Sequence, residues 1–172
     1  MKPSSSDVTY RPATADFYSK TGGQFQFSVK RPDWRAPESH GDSQVCWVDK
    51  AGAVFIEAAA PDPKNPGRLN WGEGKIILAL SDKDIGQILY GIRSNQSSDS
   101  DELVKILHTN RDRTVTKTFS IKKGRTGTWQ LSLMQSGSSR IAVNVFINAP
   151  DLLRLSHLLE AALPKVLGWD EA

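Results

Sequence analysis

The sequence predicts an α+β fold of two four-stranded antiparallel sheets, each followed by a helix, in a ββββα-ββββα order. Hydrophobic and polar residues alternate with a period of two over eight short segments, and Gly, Pro, Asn, Asp and Ser residues separate these segments. Two further segments repeat apolar residues at helical spacing. A chain of 172 residues is long enough to form one domain with its own hydrophobic core.

The first unit is predicted over residues 23–94, with strands over 24–30, 44–48, 53–60 and 75–80. The segment QFQFSVK at 24–30 alternates strictly, and DKAG at 49–52 has the length and the glycine of a hairpin turn. A helix is predicted from SDKD at 81–84, because acidic residues favour a helix N-terminus. Residues 1–22 show no apolar period and are predicted to form a disordered tail, outside a single domain over 23–172.

The second unit is predicted over residues 103–169, with strands over 103–108, 115–122, 128–136 and 140–148. Glycine-containing turns separate the last three strands. The last helix opens on Ala149-Pro150-Asp151, has an apolar face of leucines and ends at Gly168. Because one helix can cover only one face of its sheet, we expect the other face of each sheet to stay open.

Several classes of protein are excluded by what the sequence lacks. The lone cysteine, Cys46, rules out an internal disulfide framework and a cysteine-rich zinc site, and it is predicted to be a small buried residue. The three histidines have no metal-ligand spacing, and no apolar run approaches the roughly 18 residues of a membrane span. No nucleophile elbow or acid–histidine constellation is present. We therefore predict a protein that is not an enzyme, with no cofactor, no metal, no small-molecule substrate and no membrane segment.

The positive charge is concentrated in one part of the chain. The net charge is +3 at pH 7, but residues 103–140 carry eight Lys and Arg residues against the single acid Asp112. Such a basic region is typical of a surface that binds phosphates. An ordinary solvated face that happens to be basic would have the same composition, and charge alone does not separate the two.

The open face of the second sheet is predicted from the alternation of its strands. Gln130, Ser132 and Met134 share one parity, while Trp129 is predicted to point into the core, as is Trp169. A face of hydroxyls, amides and isolated apolar groups, basic at its rim, suits single-stranded nucleic acid, although a solvent-facing sheet is also rich in Ser, Thr and Lys. The candidate nucleic-acid contacts are Lys30, Trp34, Lys50, Phe55, Lys75, Arg111, Arg113, Thr118, Lys122, Lys123, Arg125, Gln130, Ser132, Met134, Arg140 and Asn144.

Three local stretches resemble the Whirly family of single-stranded DNA-binding proteins. LPKVLGW at 163–169 is similar to the LP-x-x-x-GW ending of the family's last helix. Asn70-Trp71, followed across a strand by IGQIL at 85–89, resembles a second family stretch, and DKAG at 49–52 is similar to the family's K-x-G hairpin. The element order matches over about 23–169. The ending is also similar to that of the kinetoplastid mitochondrial guide-RNA-binding proteins, which share this fold.

The resemblance implies a homotetramer that binds single strands along its sheets with little sequence preference, in genome maintenance or transcription regulation. The family's KGKAALSV motif would fall at 21–29, where this chain reads TGGQFQFSV and lacks the lysines, so assembly beyond the tetramer stays open. The alternatives are an RNA-binding protein of the same fold and a non-catalytic scaffold for protein partners. We expect a cytoplasmic or nucleoid-associated protein in a prokaryote or virus, and a mitochondrial or plastid protein in a eukaryote.

Overall fold

A computed structural model describes residues 14–19, 22–41, 43–94 and 101–169 of the chain. It contains two four-stranded antiparallel sheets and two long helices, which confirms the predicted fold class. The elements, in chain order, are β1 (Ala15–Ser19), β2 (Gly23–Lys30), β3 (Asp33–Trp34), β4 (Glu38–His40), β5 (Ser43–Val45), β6 (Val48–Lys50), β7 (Ala53–Ala59), β8 (Lys75–Leu80), α1 (Asp82–Ser94), β9 (Glu102–Thr109), β10 (Thr116–Lys123), β11 (Trp129–Ser136), β12 (Ile141–Ile147) and α2 (Ala149–Leu167).

The first sheet has the strand order β1-β2-β7-β8, and one of its members corrects the prediction. Strand β1 lies within the predicted disordered tail, where it pairs antiparallel with β2. Its one fully buried side chain, Phe17, packs edge-on against Phe27 with ring centroids 5.6 Å apart. A five-residue strand with a single buried aromatic shows too little alternation to be detected in sequence. The other residues of the predicted tail, apart from Thr14 and Gly22, lie outside the described residues.

The segment between β2 and β7 forms a separate arm instead of the strand predicted over 44–48. Two short ladders build this arm, β3 with β6 and β4 with β5, and neither belongs to a four-stranded sheet. Pro32 and Pro37 lie in the part of the arm that directly follows β2. They keep its ladders short, because proline cannot donate a backbone hydrogen bond to a ladder. The arm packs against the end of α2, where the Trp34 ring lies next to Gly168.

The second sheet has the strand order β12-β11-β10-β9, as consecutive hairpins predict. Its strands lie within about two residues of the predicted limits, which is the usual uncertainty of element ends. One irregularity is a β-bulge in β9, where Val104 pairs with Ile121 but Glu102 pairs with the next residue, Lys122. As a result, the consecutive residues Leu103 and Val104 both point into the core.

One hydrophobic core joins the two units. The inner faces of the sheets meet where the rings of Phe25 and Phe119 lie 6.4 Å apart. Helix α2 packs against β2 and β7 of the first sheet, whereas α1 packs against β9 of the second sheet as well as β8. We expected each helix to cover the sheet of its own unit. The helices instead connect the two units, and both sheets keep one face free of helices.

Local sequence determines where both helices begin. Helix α1 starts with a reciprocal cap, in which the Ser81 backbone N–H donates to Asp84 Oδ2 at 2.8 Å and the Asp84 N–H donates to Ser81 Oγ at 3.3 Å. Helix α2 is capped by Asn148, whose Oδ1 accepts a hydrogen bond from the Asp151 N–H at 2.9 Å. Pro150 lies in the first turn of α2, where a missing N–H costs nothing.

Gly168 ends α2 in the left-handed conformation, with φ of 72°. A Cβ at this position would lie 2.6 Å from Trp34 Cζ2, so both backbone and packing exclude a side chain. We expect Gly168→Ala to lower the free energy of unfolding by about 1–2 kcal/mol, measured by urea denaturation. The matched control is Gly86→Ala within α1, where an added Cβ meets nothing within 4 Å and should stabilise by about 0.5–1 kcal/mol. Equal stability of the two variants would contradict this account of the cap.

Trp169 and Cys46 were predicted to be buried but are exposed, whereas Trp129 packs against the core as predicted. Trp169 is 68% exposed, because the left-handed turn at Gly168 directs the chain away from the apolar face of α2. Cys46 is exposed because it belongs to the arm, which has no core of its own. Trp129 packs against the core, as its position in the alternation of β11 predicts.

Candidate nucleic-acid interface

The open face of the second sheet is a shallow trough of about 340 Å³ that receives side chains from all four strands. The trough brings together seven of the predicted contacts, which are Thr118, Lys122, Gln130, Ser132, Met134, Arg140 and Asn144. It is also lined by Glu102, Lys105, Ser120 and Ala142. The alternation of β10, β11 and β12 therefore predicts this face of the sheet correctly.

The floor of the trough consists of small hydroxyls and paired amides. Ser120 faces Ser132 across the β10–β11 ladder, and Ser132 faces Asn144 across β11–β12. The Gln130 Nε2–H donates to Asn144 Oδ1 at 3.0 Å. Because each side-chain amide offers a carbonyl oxygen and two N–H groups, this pair keeps donors and acceptors for a ligand. Such a floor can form hydrogen bonds with base edges of any type.

Basic side chains lie along the trough. Arg140 precedes β12 at one end, Lys122 lies near the other end, and Lys105 on β9 faces Ser120 between them. The one acidic side chain of the lining is Glu102, whose Oε2 is 3.3 Å from Lys122 Nζ. The lining therefore carries an excess of positive charge. Cations beside a polar floor favour an anionic polymer as the ligand.

Two hairpin loops extend the positive charge beyond both ends of the trough. Arg111 and Arg113 lie in the loop between β9 and β10, and Lys123 and Arg125 lie where β10 turns into β11. Asn110 orders the first loop, because its Oδ1 accepts from the Val115 N–H at 2.9 Å and its backbone oxygen accepts from the Arg113 N–H at 3.0 Å. Both loops are exposed at their arginines. A strand longer than the trough could therefore contact basic residues at either end.

The open face of the first sheet has a different electrostatic character. Lys75 Nζ is 2.9 Å from Glu57 Oε2, and Lys30 Nζ is 3.0 Å from Asp33 Oδ2. These two predicted phosphate contacts are thus each paired with a carboxylate. Phe55 lies half-buried on this face, opposite Ser28 on β2. The first sheet offers apolar and amide groups with balanced charge, and it does not line the trough.

The remaining two predicted contacts belong to the arm. Trp34 packs on the end of α2, and Lys50 lies opposite Asp33 in the β3–β6 ladder. Neither residue lines the trough. The structure therefore divides the predicted contacts into a set around the second sheet and a set on the first sheet and its arm. The first set is the stronger candidate for a site.

Three residues with suitable chemistry were not among the predicted contacts. Phe146 is 53% exposed and faces Gln130 across the ladder, and Leu107 is 61% exposed and faces Thr118. Both follow from strand parity, which places them on the same face as Lys105. Tyr18 is 70% exposed on the first sheet, but its strand lies in the predicted tail. Strand parity could therefore have identified Phe146 and Leu107 from the sequence. It could not have identified Tyr18, because no strand was predicted there.

Lys117, one of the eight basic residues of the charge-rich region 103–140, forms a contact within the fold and does not line the trough. Lys117 Nζ donates to the backbone oxygen of Ile77 at 2.6 Å and so connects β10 with the edge strand β8. Its cross-strand neighbour His108 lies 3.1 Å from Asp84 Oδ2. Burial tends to raise the pKa of Asp84, but hydrogen bonds from Ser81 and the contact with His108 outweigh it and hold the pKa below its usual value. These groups link α1 to the sheets and lie away from the trough.

Over residues 14–19, 22–41, 43–94 and 101–169, no group of three His, Cys, Asp or Glu side chains is placed to hold a metal ion. In the same ranges, no helix has the length and hydropathy needed to cross a membrane.

Together, the two four-stranded antiparallel sheets, each followed by a helix, and the open second sheet define the class: an α+β protein with a Whirly-like fold, as the resemblance in sequence predicts. The chain is similar to the crystal structure of WHY3 from Arabidopsis thaliana, with a TM-score of 0.76 and 16% identity over 95% of this chain and 94% of that one. It is similar to WHY1 from Arabidopsis thaliana, with a TM-score of 0.74 and 14% identity over 95% of both chains.

A third similar structure is that of the plant transcriptional regulator PBF-2, with a TM-score of 0.75 and 16% identity over 95% of this chain and 87% of that one. No protein-family model matches the sequence, and no curated protein matches it either. The similarity is therefore one of fold, which these structures share with the chain over almost its whole length.

Proposed function

We propose that this protein binds single-stranded nucleic acid, in the first place DNA, with little sequence preference. The observation that carries the proposal is the trough on the second sheet, which combines basic side chains, a hydroxyl and amide floor and exposed apolar groups on one continuous face. The similarity in fold to the Whirly proteins supports it.

Phosphates would contact the basic residues along the trough. Lys105, Lys122 and Arg140 are the three cations of its lining. Each phosphate that they neutralise releases a condensed counterion, so affinity falls as the salt concentration rises. The arginines of the two hairpin loops would add contacts only for strands that reach past the trough. Affinity should therefore increase with strand length.

Bases would contact the floor and its apolar groups. Met134 lies within the trough, and Phe146 and Leu107 stand exposed on the same face. A base stacked on the Phe146 ring gains about 1–3 kcal/mol whatever its identity, because every base has a π-face, and Met134 and Leu107 add apolar contacts. A duplex keeps its bases stacked on each other and cannot use these groups. The trough should therefore prefer single strands and discriminate little between sequences.

We further propose a homotetramer that acts in genome maintenance or transcription regulation. The resemblance to the Whirly family supports both, and one of the similar structures is described as a plant transcriptional regulator. The helices present the exposed apolar side chains Tyr90, Leu153 and Leu158, which a subunit contact would cover. The trough lies on a sheet face that the helices do not cover, so binding and assembly would use different surfaces.

The proposal is tested by titrating the protein into fluorescent oligo(dT), oligo(U) and a matched duplex at about 0.05 and 0.5 M salt. We expect tight and salt-sensitive binding to a single strand and much weaker binding to the duplex. Light scattering on the same sample should give the mass of about four chains. The ratio of dT to U affinity decides between DNA and RNA. A folded protein that binds none of the probes would overturn the proposal and favour a scaffold for protein partners.

A further inference from the structure

Glu102 lies in the trough because of the bulge in β9. With regular alternation, Glu102 and Val104 would share the inner face, and Leu103 would point outward. The bulge turns Leu103 into the core and brings Glu102 to the open face opposite Lys122. Bulges re-aim side chains in this way and occur frequently beside functional sites.

The bulge is built into the packing of the protein. Gly91 of α1 lies directly against it, since a Cβ there would come within 2.5 Å of the Leu103 backbone oxygen and 2.6 Å of Val104 Cγ2. The Gln87 Nε2–H also donates to the Lys105 backbone oxygen at 3.2 Å, just after the bulge. Helix α1 therefore holds this part of β9 in place, and the position of Glu102 is fixed by the fold.

The Glu102 carboxylate occupies the position where a phosphate would approach Lys122. Its Oε2 is 3.3 Å from Lys122 Nζ, and the side chains of Lys122 and Glu102 are 48% and 37% exposed. An ion pair at this exposure is weak, contributing about 0.2–1 kcal/mol, so a phosphate can replace the carboxylate. The carboxylate also repels an incoming phosphate across the trough.

We propose that Glu102 is a built-in competitor of the nucleic acid, which occupies Lys122 in the free protein and gives it up to a phosphate on binding. This inference rests on the proposed function and concerns the regulation of the same site. Because the ion pair must be broken before Lys122 can meet a phosphate, the competitor lowers affinity by a similar factor for every strand that reaches Lys122.

The test compares Glu102→Gln with the unaltered protein in binding to an oligo(dT) of about ten nucleotides. Removing the competitor should strengthen binding about twofold to fivefold near 0.1 M salt. The log–log salt slope should change by much less than the roughly 0.7 of one phosphate contact, because Lys122 meets a phosphate in the complex of both proteins. Urea denaturation checks that the variant keeps its stability.

Two controls separate the local effect from a change in net charge. Glu57→Gln removes the same charge from the Lys75 pair on the first sheet and should change affinity less than twofold. In a Lys122→Gln background, Glu102→Gln should give no more gain than Glu57→Gln does. Equal gains from Glu102→Gln and Glu57→Gln, or no gain at all, would overturn the inference while leaving the proposed function intact. Absence of single-strand binding by the unaltered protein would overturn both.

Discussion

Replacing Lys105, Lys122 and Arg140 together by glutamine is expected to weaken the binding of single-stranded DNA about 100-fold at about 0.1 M salt. Each of these side chains lines the trough on the second sheet. Each phosphate contact on a single strand contributes about 0.7 to the log–log salt slope, so three contacts supply about two decades of affinity between 1 M and 0.1 M salt. The slope itself should fall by about 2. Fluorescence anisotropy at several salt concentrations measures both quantities.

The matched control for this variant is the double substitution Lys30→Gln and Lys75→Gln on the first sheet. Both lysines are paired with carboxylates, so their removal frees Asp33 and Glu57 but costs few phosphate contacts. We expect a loss of less than about fivefold, the value of a single contact. A larger loss from this control than from the trough variant would place the nucleic acid on the first sheet and contradict the proposed site.

The substitution Phe119→Ala is expected to lower the free energy of unfolding by about 3–5 kcal/mol. Phe119 is fully buried, and its ring contacts the region where the two sheets meet, 6.4 Å from the ring of Phe25. Its removal leaves a cavity that residues of two sheets would have to move to fill. Urea denaturation at one protein concentration measures the effect, since assembly makes apparent stability concentration-dependent.

The control for Phe119→Ala removes an aromatic ring from the opposite face of the same sheet. Phe146 is 53% exposed, so Phe146→Ala should change stability by no more than about 0.5 kcal/mol. It should nevertheless weaken single-strand binding by about 1–3 kcal/mol if one base stacks there. If both variants lost the same stability, Phe119 would not be the central contact between the sheets that the structure indicates.

The second sheet could be predicted from sequence almost completely. Its strands are seven or eight residues long, and β11 and β12 alternate regularly, so parity predicts that Gln130, Ser132, Met134 and Asn144 share one face. The two turns between its last three strands contain glycine, as predicted. Long alternating strands with clear turns specify their register, because a shift by one residue would expose the apolar set.

The first sheet was harder to predict because one of its strands is short and one predicted strand belongs elsewhere. Strand β1 has five residues and depends on a distant contact between Phe17 and Phe27, which no local pattern reveals. The segment 44–48 has strand-forming residues, but the arm's interrupted ladders prevent it from joining the sheet. In both cases a tertiary contact decided the outcome over local preference.

The sequence predicts which kinds of residue form the candidate site, but not which of its charged side chains are paired with each other. Counting Lys and Arg residues could not show that Lys30 and Lys75 are paired with carboxylates, or that Lys117 binds a backbone oxygen of the edge strand. Nor could it place Glu102 in the trough, because a bulge reverses the parity of β9 at that point. Pairing and bulges depend on which strands are neighbours, and this information appears only in the assembled fold.

The most direct test of the account is the methyl NMR signal of Met134 in protein labelled at the methionine methyl groups. The chain has two methionines, Met1 and Met134, so the spectrum is simple and a Met134→Leu variant assigns it. We predict that oligo(dT) shifts the Met134 signal progressively until the trough is saturated, while Met1 stays unchanged and duplex DNA has little effect. Tight binding of oligo(dT) that leaves the Met134 signal unmoved would place the nucleic acid elsewhere and contradict the account.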